Sequence, residues 1–440
     1  MEKKVEGIYD GFKELGTGKM FVLGLQHVFA MFGATVLVPL LTGLSVSVTL
    51  FCSGIATIWF FFITKRKIPV FLGSSFAFLG AFASVANGDV AMLPYATLGV
   101  AFAGLIYVAL AILFGVFGSH RIMKLFPPVV TGPIIILIGL ILAPTGISSA
   151  AANWILAIIA IAIIIAVNIW GKGMIRILPI LCGIFGAYIV GVIVSLLSGN
   201  ALFGLSWVDF SSLQGAKLIS VPPFTTYSPL RFLTGAQAFD PAIGWPAVIT
   251  FIVVAVAAMV EHIGDICAIG ATCGKNFIAD PGLTRTLLGD GIGTSMAGLF
   301  GGPANTTYSE NTGVVALTRV YDPKVMLIAA CMAIVLSFIS IFDAFINTIP
   351  WSIIGGVSVV LYGMISATGI RTIVENKVDF KNMRNVLVAA LILVSGLGFN
   401  ATPLCIGQLS FGGLAVAAVV GVVVNAILPG KDYEFKIEKE

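Results

Sequence analysis

Apolar residues run through the chain in long blocks, and polar residues collect between the blocks rather than alternating within them. A helix needs roughly 20 mostly apolar residues to cross the hydrocarbon core of a bilayer. The blocks predict spans over residues 20–41, 46–64, 68–84, 92–116, 126–145, 153–170 and 177–197. A Pro- and Ser-containing stretch, 198–244, separates these from a second set at 245–268, 285–301, 304–319, 324–346, 350–370, 385–401 and 410–428. The pattern predicts an all-α integral membrane protein of 14 segments, seven plus seven. Residues 1–19 carry charges without an apolar core and read as a cytosolic lead-in rather than a cleaved signal. Residues 429–440 read as a cytosolic tail.

The basic residues test this count, because cytoplasmic loops hold the excess of Lys and Arg. With the N-terminus inside, 22 of the 24 fall on the inner side, from Lys65, Arg66 and Lys67 through Arg121 and Lys124 to Arg371, Lys377, Lys381 and Arg384. Only Lys217 and Arg231, both in the loop 198–244, lie outside. One span more or fewer in the middle would destroy this asymmetry, so both termini are expected in the cytosol. Seven is odd, so the second half enters the membrane from the opposite side to the first. That is the arithmetic of an inverted repeat, a plan of many secondary transporters.

Such folds bind their substrate where equivalent segments of the two halves are broken. The third segment of each half is unusual here. One reads Ile68-Pro69-Val70-Phe71-Leu72-Gly73-Ser74-Ser75-Phe76, the other Pro303-Ala304-Asn305-Thr306-Thr307-Tyr308-Ser309-Glu310. Both open on residues that favour extended backbone and then become compatible with helix. A short strand followed by a half-helix is the expectation for each. Non-helical backbone at this depth survives only inside protein or beside a water-filled cavity. Two crossing strands would satisfy each other and aim both half-helix N-termini, with their free N–H groups, at one point. Two ordinary Gly- and Pro-kinked helices are the alternative.

Composition narrows the class. Hydrophobic residues make up 58% and charged residues 10% of the 440, with a mean hydropathy of +1.07. A soluble fold of this size could not cover its surface with so few charges, which excludes a soluble enzyme and a nucleic-acid binder. The six cysteines form no CxxC pair. No metal-ligand spacing, nucleophile elbow or phosphate-binding loop is present, so a membrane-embedded enzyme is disfavoured and no cofactor is expected beyond a coupling proton.

Few acids lie in apolar context: Glu261, Asp265, Asp290 and Glu310, with Asp343 nearer an outer end. A carboxylate inside a bilayer is costly and marks function by default. Glu261 and Asp265 are four residues apart on one helix and share a face. Their repulsion favours one of them keeping a proton. Glu310 stands at the strand–helix junction of the tenth segment, where a helix N-terminus favours negative charge. Asp290, between Gly289 and Gly291, reads equally as a packing hydrogen-bond partner. Of the three histidines, His120 sits in a basic loop, His262 follows Glu261, and His27 in the first segment is either a packing partner or a proton carrier. Carboxylates, convergent N–H groups and aromatic faces suit a flat neutral ligand with N–H donors beside carbonyls, such as an imide.

The stretch Glu310-Asn311-Thr312-Gly313-Val314-Val315-Ala316-Leu317-Thr318-Arg319 resembles the signature of the nucleobase–ascorbate (nucleobase:cation symporter-2) family. So do Asn305-Thr306-Thr307-Tyr308-Ser309, Gly73-Ser74-Ser75-Phe76 and Gln26-His27-Val28-Phe29-Ala30-Met31-Phe32-Gly33-Ala34-Thr35. The similarity runs from about residue 20 to about 428. The first signature residue tends to be Gln in the family's purine carriers and Glu in its uracil carriers, so Glu310 points to the uracil branch. The resemblance implies a core domain of segments 1–4 and 8–11 and a gate domain of segments 5–7 and 12–14. It implies proton symport of uracil by alternating access across the cell membrane, with lipid as the surroundings, and it admits a homodimer.

By motif, Glu261 and Glu310 would bind the base through their side chains and Phe76 and Ser309 through backbone N–H groups. Tyr308 would lie nearby and Tyr362 on the gate side. The uracil-carrier pattern E-H-x-G-H reads here as Glu261-His262-Ile263-Gly264-Asp265, with Asp where histidine is usual. Purine carriers also have Asp there, which keeps a xanthine or other purine carrier as the alternative. Asp265 is expected to help set proton affinity together with Glu261, unless it only holds its neighbours in place.

Overall fold

A computed structural model describes residues 6–86, 88–117, 126–173, 175–198, 207–215, 217–406 and 409–430. His120, Arg121 and Lys124, and the basic residues of 1–5 and 431–440, lie outside these. The first half contains α1 (Gly16–Thr42), α2 (Val46–Ile63), strand β1 (Leu72–Ser74) and, after one tight turn at Phe76–Phe78, α3 (Leu79–Ala86). Then follow α4 (Leu93–Phe117), α5 (Pro128–Ala150), α6 (Trp154–Trp170) and α7 (Pro179–Ser198). The second half repeats the order: α8 (Pro241–Cys273), α9 (Leu283–Leu299), β2 (Asn305–Thr307), α10 (Ser309–Thr318), α11 (Lys324–Ser337), α12 (Trp351–Glu375), α13 (Met383–Ala401) and α14 (Gly413–Ile427).

Eight of these helices are long and apolar enough to cross a bilayer, and α11 with its bent continuation adds a ninth. Of the others, α6 and α9 have 17 residues each and α14 has 15. Helices α3 and α10 have only 8 and 10 residues, which at 1.5 Å per residue reach about halfway through a bilayer.

The helices pack as two groups. Helices α1, α2, α8 and α9 contact the β1–β2 crossing and α4 and α11 pack on them, while α5, α6, α7, α12, α13 and α14 pack on one another. The pairings map onto themselves when each helix is exchanged for its counterpart seven places on. The α4–α9 packing answers α2–α11, α8–α4 answers α1–α11, and α6–α7 answers α13–α14. The two groups meet mainly where α8 lies against α14 and α5.

Three features depart from the expected spans. The stretch 324–346 is not one rod: α11 and the short helix Ser340–Ile346 are bent by 86°. The Ser337 hydroxyl donates to the Ile334 carbonyl at 2.6 Å, and Phe338 and Ile339 close i→i−3 bonds, so the helix tightens and ends there. The chain between α13 and α14 forms a ribbon, β3 (Leu404–Ile406) against β4 (Leu409–Phe411). A Cβ at Gly413 would meet the Gly396 carbonyl and the Asn400 amide, so glycine lets α14 start against α13. The lead-in is also not loose. Ile8 bridges Val320, the Tyr9 hydroxyl donates to the Cys273 carbonyl at 3.0 Å, and the Gly11 amide donates to Asp322 at 2.9 Å. It straps together the ends of α8, α10 and α11.

Candidate functional site

The two broken segments cross as antiparallel strands, with Leu72 opposite Thr307, Gly73 opposite Thr306 and Ser74 opposite Asn305. Further bonds from Ser75 to the Ala304 carbonyl and from Tyr308 to the Phe71 carbonyl extend the pairing. All six strand residues are buried, so the free edge of each strand needs partners from protein. Threonine hydroxyls supply them. Thr57 of α2 accepts from the Leu72 amide at 2.9 Å and donates to its carbonyl at 3.3 Å. Thr294 of α9 does the same for Asn305, at 3.2 Å in both directions.

Gly73 is required by a close approach. A Cβ there would enter the ring of Tyr308, which lies across β1. The Tyr308 hydroxyl donates to the Ser74 carbonyl at 2.9 Å and lies 3.1 Å from the Ser74 hydroxyl, while Thr35 of α1 donates to it at 3.3 Å. Tyr308 therefore locks the crossing to α1. Asn311 adds a second tie, its amide donating to the His27 carbonyl and lying 3.1 Å from His27 Nδ1. His27 is fully buried in this contact.

Past the crossing, each chain turns into its half-helix at Phe76 and at Ser309. Neither N-cap residue, Ser75 or Tyr308, caps its half-helix with its side chain, so first-turn N–H groups are open to other acceptors, the Glu310 carboxylate meeting its own. Ser309 is exposed and Glu310, in the first turn of α10, is half-buried. Glu261 and Asp265 sit on the adjoining face of α8, also half-buried, with Gly264 exposed between them. Gly264 and Gly313 have no atom within 4 Å of where a Cβ would stand, so both helices border open space here. Glu261, Asp265 and Glu310 lie within electrostatic reach of one another. Among the described residues, no Lys or Arg pairs with any of them.

Phe76 and Tyr362 meet edge to face across the boundary between the two helix groups, with ring centroids 6.2 Å apart at 77°. Above Phe76 a mostly apolar cleft runs between α3 and α8 on one side and α5, α13 and α14 on the other. Phe76, Glu261, Asp265, Ser309, Glu310 and Tyr362 thus gather around the crossing, whereas Tyr308 and His27 act inside the scaffold. Thr307 was not singled out by sequence, yet its hydroxyl donates to Asp265 at 2.7 Å and couples the strand to α8. Its place in the same Asn305–Ser309 run was the available signal. Thr35 and Asn311 likewise stand within motif stretches without their partners being legible.

A model of the permease family matches residues 18–405. A uracil permease of Bacillus caldolyticus is 38% identical over 94% of this chain and 93% of that protein. One from Bacillus subtilis (strain 168) is 39% identical over 92% and 91%. Among solved structures, the transmembrane domain of a cyanobacterium bicarbonate transporter, BicA, superposes with a TM-score of 0.64 at 16% identity. That match covers 96% of this chain and all of the other, and it carries the fold alone.

Proposed function

Because the chain belongs to the permease family of nucleobase:cation symporters, we propose that it carries uracil into the cell together with protons. It is a multi-pass membrane protein and a transporter rather than an enzyme. One observation carries the reading of the substrate. Glu310 stands in the first turn of a half-helix within electrostatic reach of Glu261, Phe76 opens the half-helix paired with it across the crossing, and among the described residues no Lys or Arg pairs with either acid. An anionic substrate would be repelled. A sugar would find few side-chain donors. A planar imide offers N–H groups to the carboxylates, carbonyls to the amides at Phe76 and Ser309, and a face to the ring.

The carrier works by alternating access. The group holding the crossing moves against the group holding Tyr362, with Glu261 and Asp265 sharing the coupled proton and both termini in the cytosol. Asp265 in the place of a histidine favours one other reading, a xanthine or other purine carrier. Competition in whole cells separates them: excess uracil blocks uptake of labelled uracil and excess xanthine does not. The reverse result makes the chain a purine carrier. For the proton, Asp265→Asn in reconstituted vesicles keeps uracil counterflow and loses accumulation driven by a pH gradient. Full accumulation in that variant would leave Asp265 a scaffold residue that positions Thr307.

A further inference from the structure

One residue after Glu261, about 100° further around α8, the His262 side chain points into the interior. Its Nδ1 lies 2.9 Å from Asp290 Oδ2 on α9, and both side chains are fully buried. Asp290 reaches this depth because its neighbours are glycines. A Cβ at Gly289 would meet Phe60 of α2, and one at Gly291 would meet Tyr107 of α4 and the Gly104 carbonyl. Close packing explains those glycines. It does not explain an acid between them, since an amide would serve a packing hydrogen bond without the cost of a buried charge.

The groups facing the pair are few. Helix α8 contributes Glu261 and Asp265, and α4 contributes the Tyr107 hydroxyl, in electrostatic reach of both Asp290 and Glu261. Helix α10 contributes Glu310 through its reach to Glu261. Helix α2 presents Phe60, its ring 6.4 Å from that of His262 and without a titratable group. Besides Nδ1 and Oδ2, which face each other at 2.9 Å without the alignment of a hydrogen bond, four enclosed atoms in this region have no hydrogen-bond partner: His262 Nε2, Asp290 Oδ1, the Tyr107 hydroxyl and Glu261 Oε2. Such a cluster is costly unless protons or an internal water satisfy it.

We propose that His262 and Asp290 form a buried proton-holding pair that sets the charge state of Glu261 from behind. With one proton shared between Nδ1 and Oδ2 the pair is neutral. Without it the pair carries a negative charge close to Glu261, which then keeps its own proton. The two are positioning residues: neither touches the substrate, and they act through Glu261. The inference rests on the reading of Glu261 as part of the proton-coupled site.

The test is uracil uptake against external pH in reconstituted vesicles, with equilibrium binding and counterflow measured on the same preparations. Asp290→Asn removes the negative charge while keeping shape. The double variant His262→Gln, Asp290→Asn keeps a neutral hydrogen-bonded pair and serves if the single variant does not fold. The midpoint of the uptake profile in either variant moves to more acid pH by about one unit, the scale on which a neighbouring charge acts at a buried site. Binding changes by less than about threefold, well below the 1.4 kcal/mol that a tenfold change represents. A wild-type profile in the folded double variant overturns the proposal and leaves the pair a packing contact. A pH-independent wild-type protein overturns the proton-coupled reading itself, and the pair's role with it.

Discussion

The two broken segments are equivalent in the repeat and unlike in chemistry. Each strand has its outer edge satisfied by one threonine of the equivalent helix, Thr57 for Leu72 and Thr294 for Asn305. Each then opens into a half-helix that its N-cap side chain does not cap. The first segment nonetheless offers only Gly73, two serines and the rings of Phe76 and Phe78, while the second runs Asn305-Thr306-Thr307-Tyr308-Ser309-Glu310-Asn311. The duplicated fold supplies the geometry twice. Side-chain chemistry is concentrated on one side, and a second carboxylate facing Glu310 across the crossing would repel it. A flat ligand has one edge to recognise and one face to cover, and under the proposed function the two segments would divide those tasks.

If that division holds, the largest effect on binding comes from the polar side. Glu310→Gln keeps the shape and the helix but replaces a charged acceptor. Uracil binding weakens by about 1.5–3 kcal/mol, the range for a hydrogen bond to a charged group, read as the equilibrium affinity of purified protein. Unchanged affinity would remove Glu310 from contact with the base and break the comparison at its main point.

The next effect tests the symmetric part. Thr57→Val and Thr294→Val each strip the two hydrogen bonds that a strand edge makes, leaving backbone groups buried without partners. Each lowers stability by about 1–2 kcal/mol, read as the shift of the thermal midpoint in detergent. The two values agree because the two sites are built alike. Their effects on affinity differ, because only Thr294 supports the strand leading to Glu310. Equal losses of affinity would show that both half-helices hold the base in the same way.

Much of this arrangement was legible in the sequence because it is encoded locally. Pro69 and Pro303, followed by extended-backbone formers and then helix-compatible residues, mark both broken segments, and the long apolar blocks mark the helices. What was not legible depends on contacts between distant residues. The register that puts Leu72 opposite Thr307 follows from two threonines on other helices. The locking of Tyr308 onto Ser74 and Thr35 follows from the missing Cβ of Gly73. His262 and Asp290 are 28 residues apart and meet because α8 and α9 both pack on α4 and touch each other. The bend after Ser337 escaped because an apolar sequence reads the same through a bend as through a straight rod. The lead-in escaped because its partners, Cys273, Val320 and Asp322, lie on the far half of the chain.

The smallest effect comes from the apolar side, and it asks whether the first segment contributes a ring or only a backbone. Phe76 opens its half-helix and meets Tyr362 edge to face at 6.2 Å, so its ring belongs to the boundary between the two helix groups and, under the proposed function, would also face the base. Its amide does not depend on the side chain, so substitutions can separate the two contributions. Phe76→Leu keeps most of the apolar area and loses only the aromatic geometry, costing about 0.5–1.5 kcal/mol of affinity. Phe76→Ala loses the area as well and costs more, at about 25 cal/mol for each Å2 no longer covered. Neither variant falls to the level of Glu310→Gln in discriminating uracil from a base that lacks the paired N–H donor, because the ring covers a face and reads no edge. Affinity and selectivity for both variants, measured against wild type at one pH, decide the point. Wild-type affinity in Phe76→Ala would turn the ring away from the base and leave the first segment contributing amides alone.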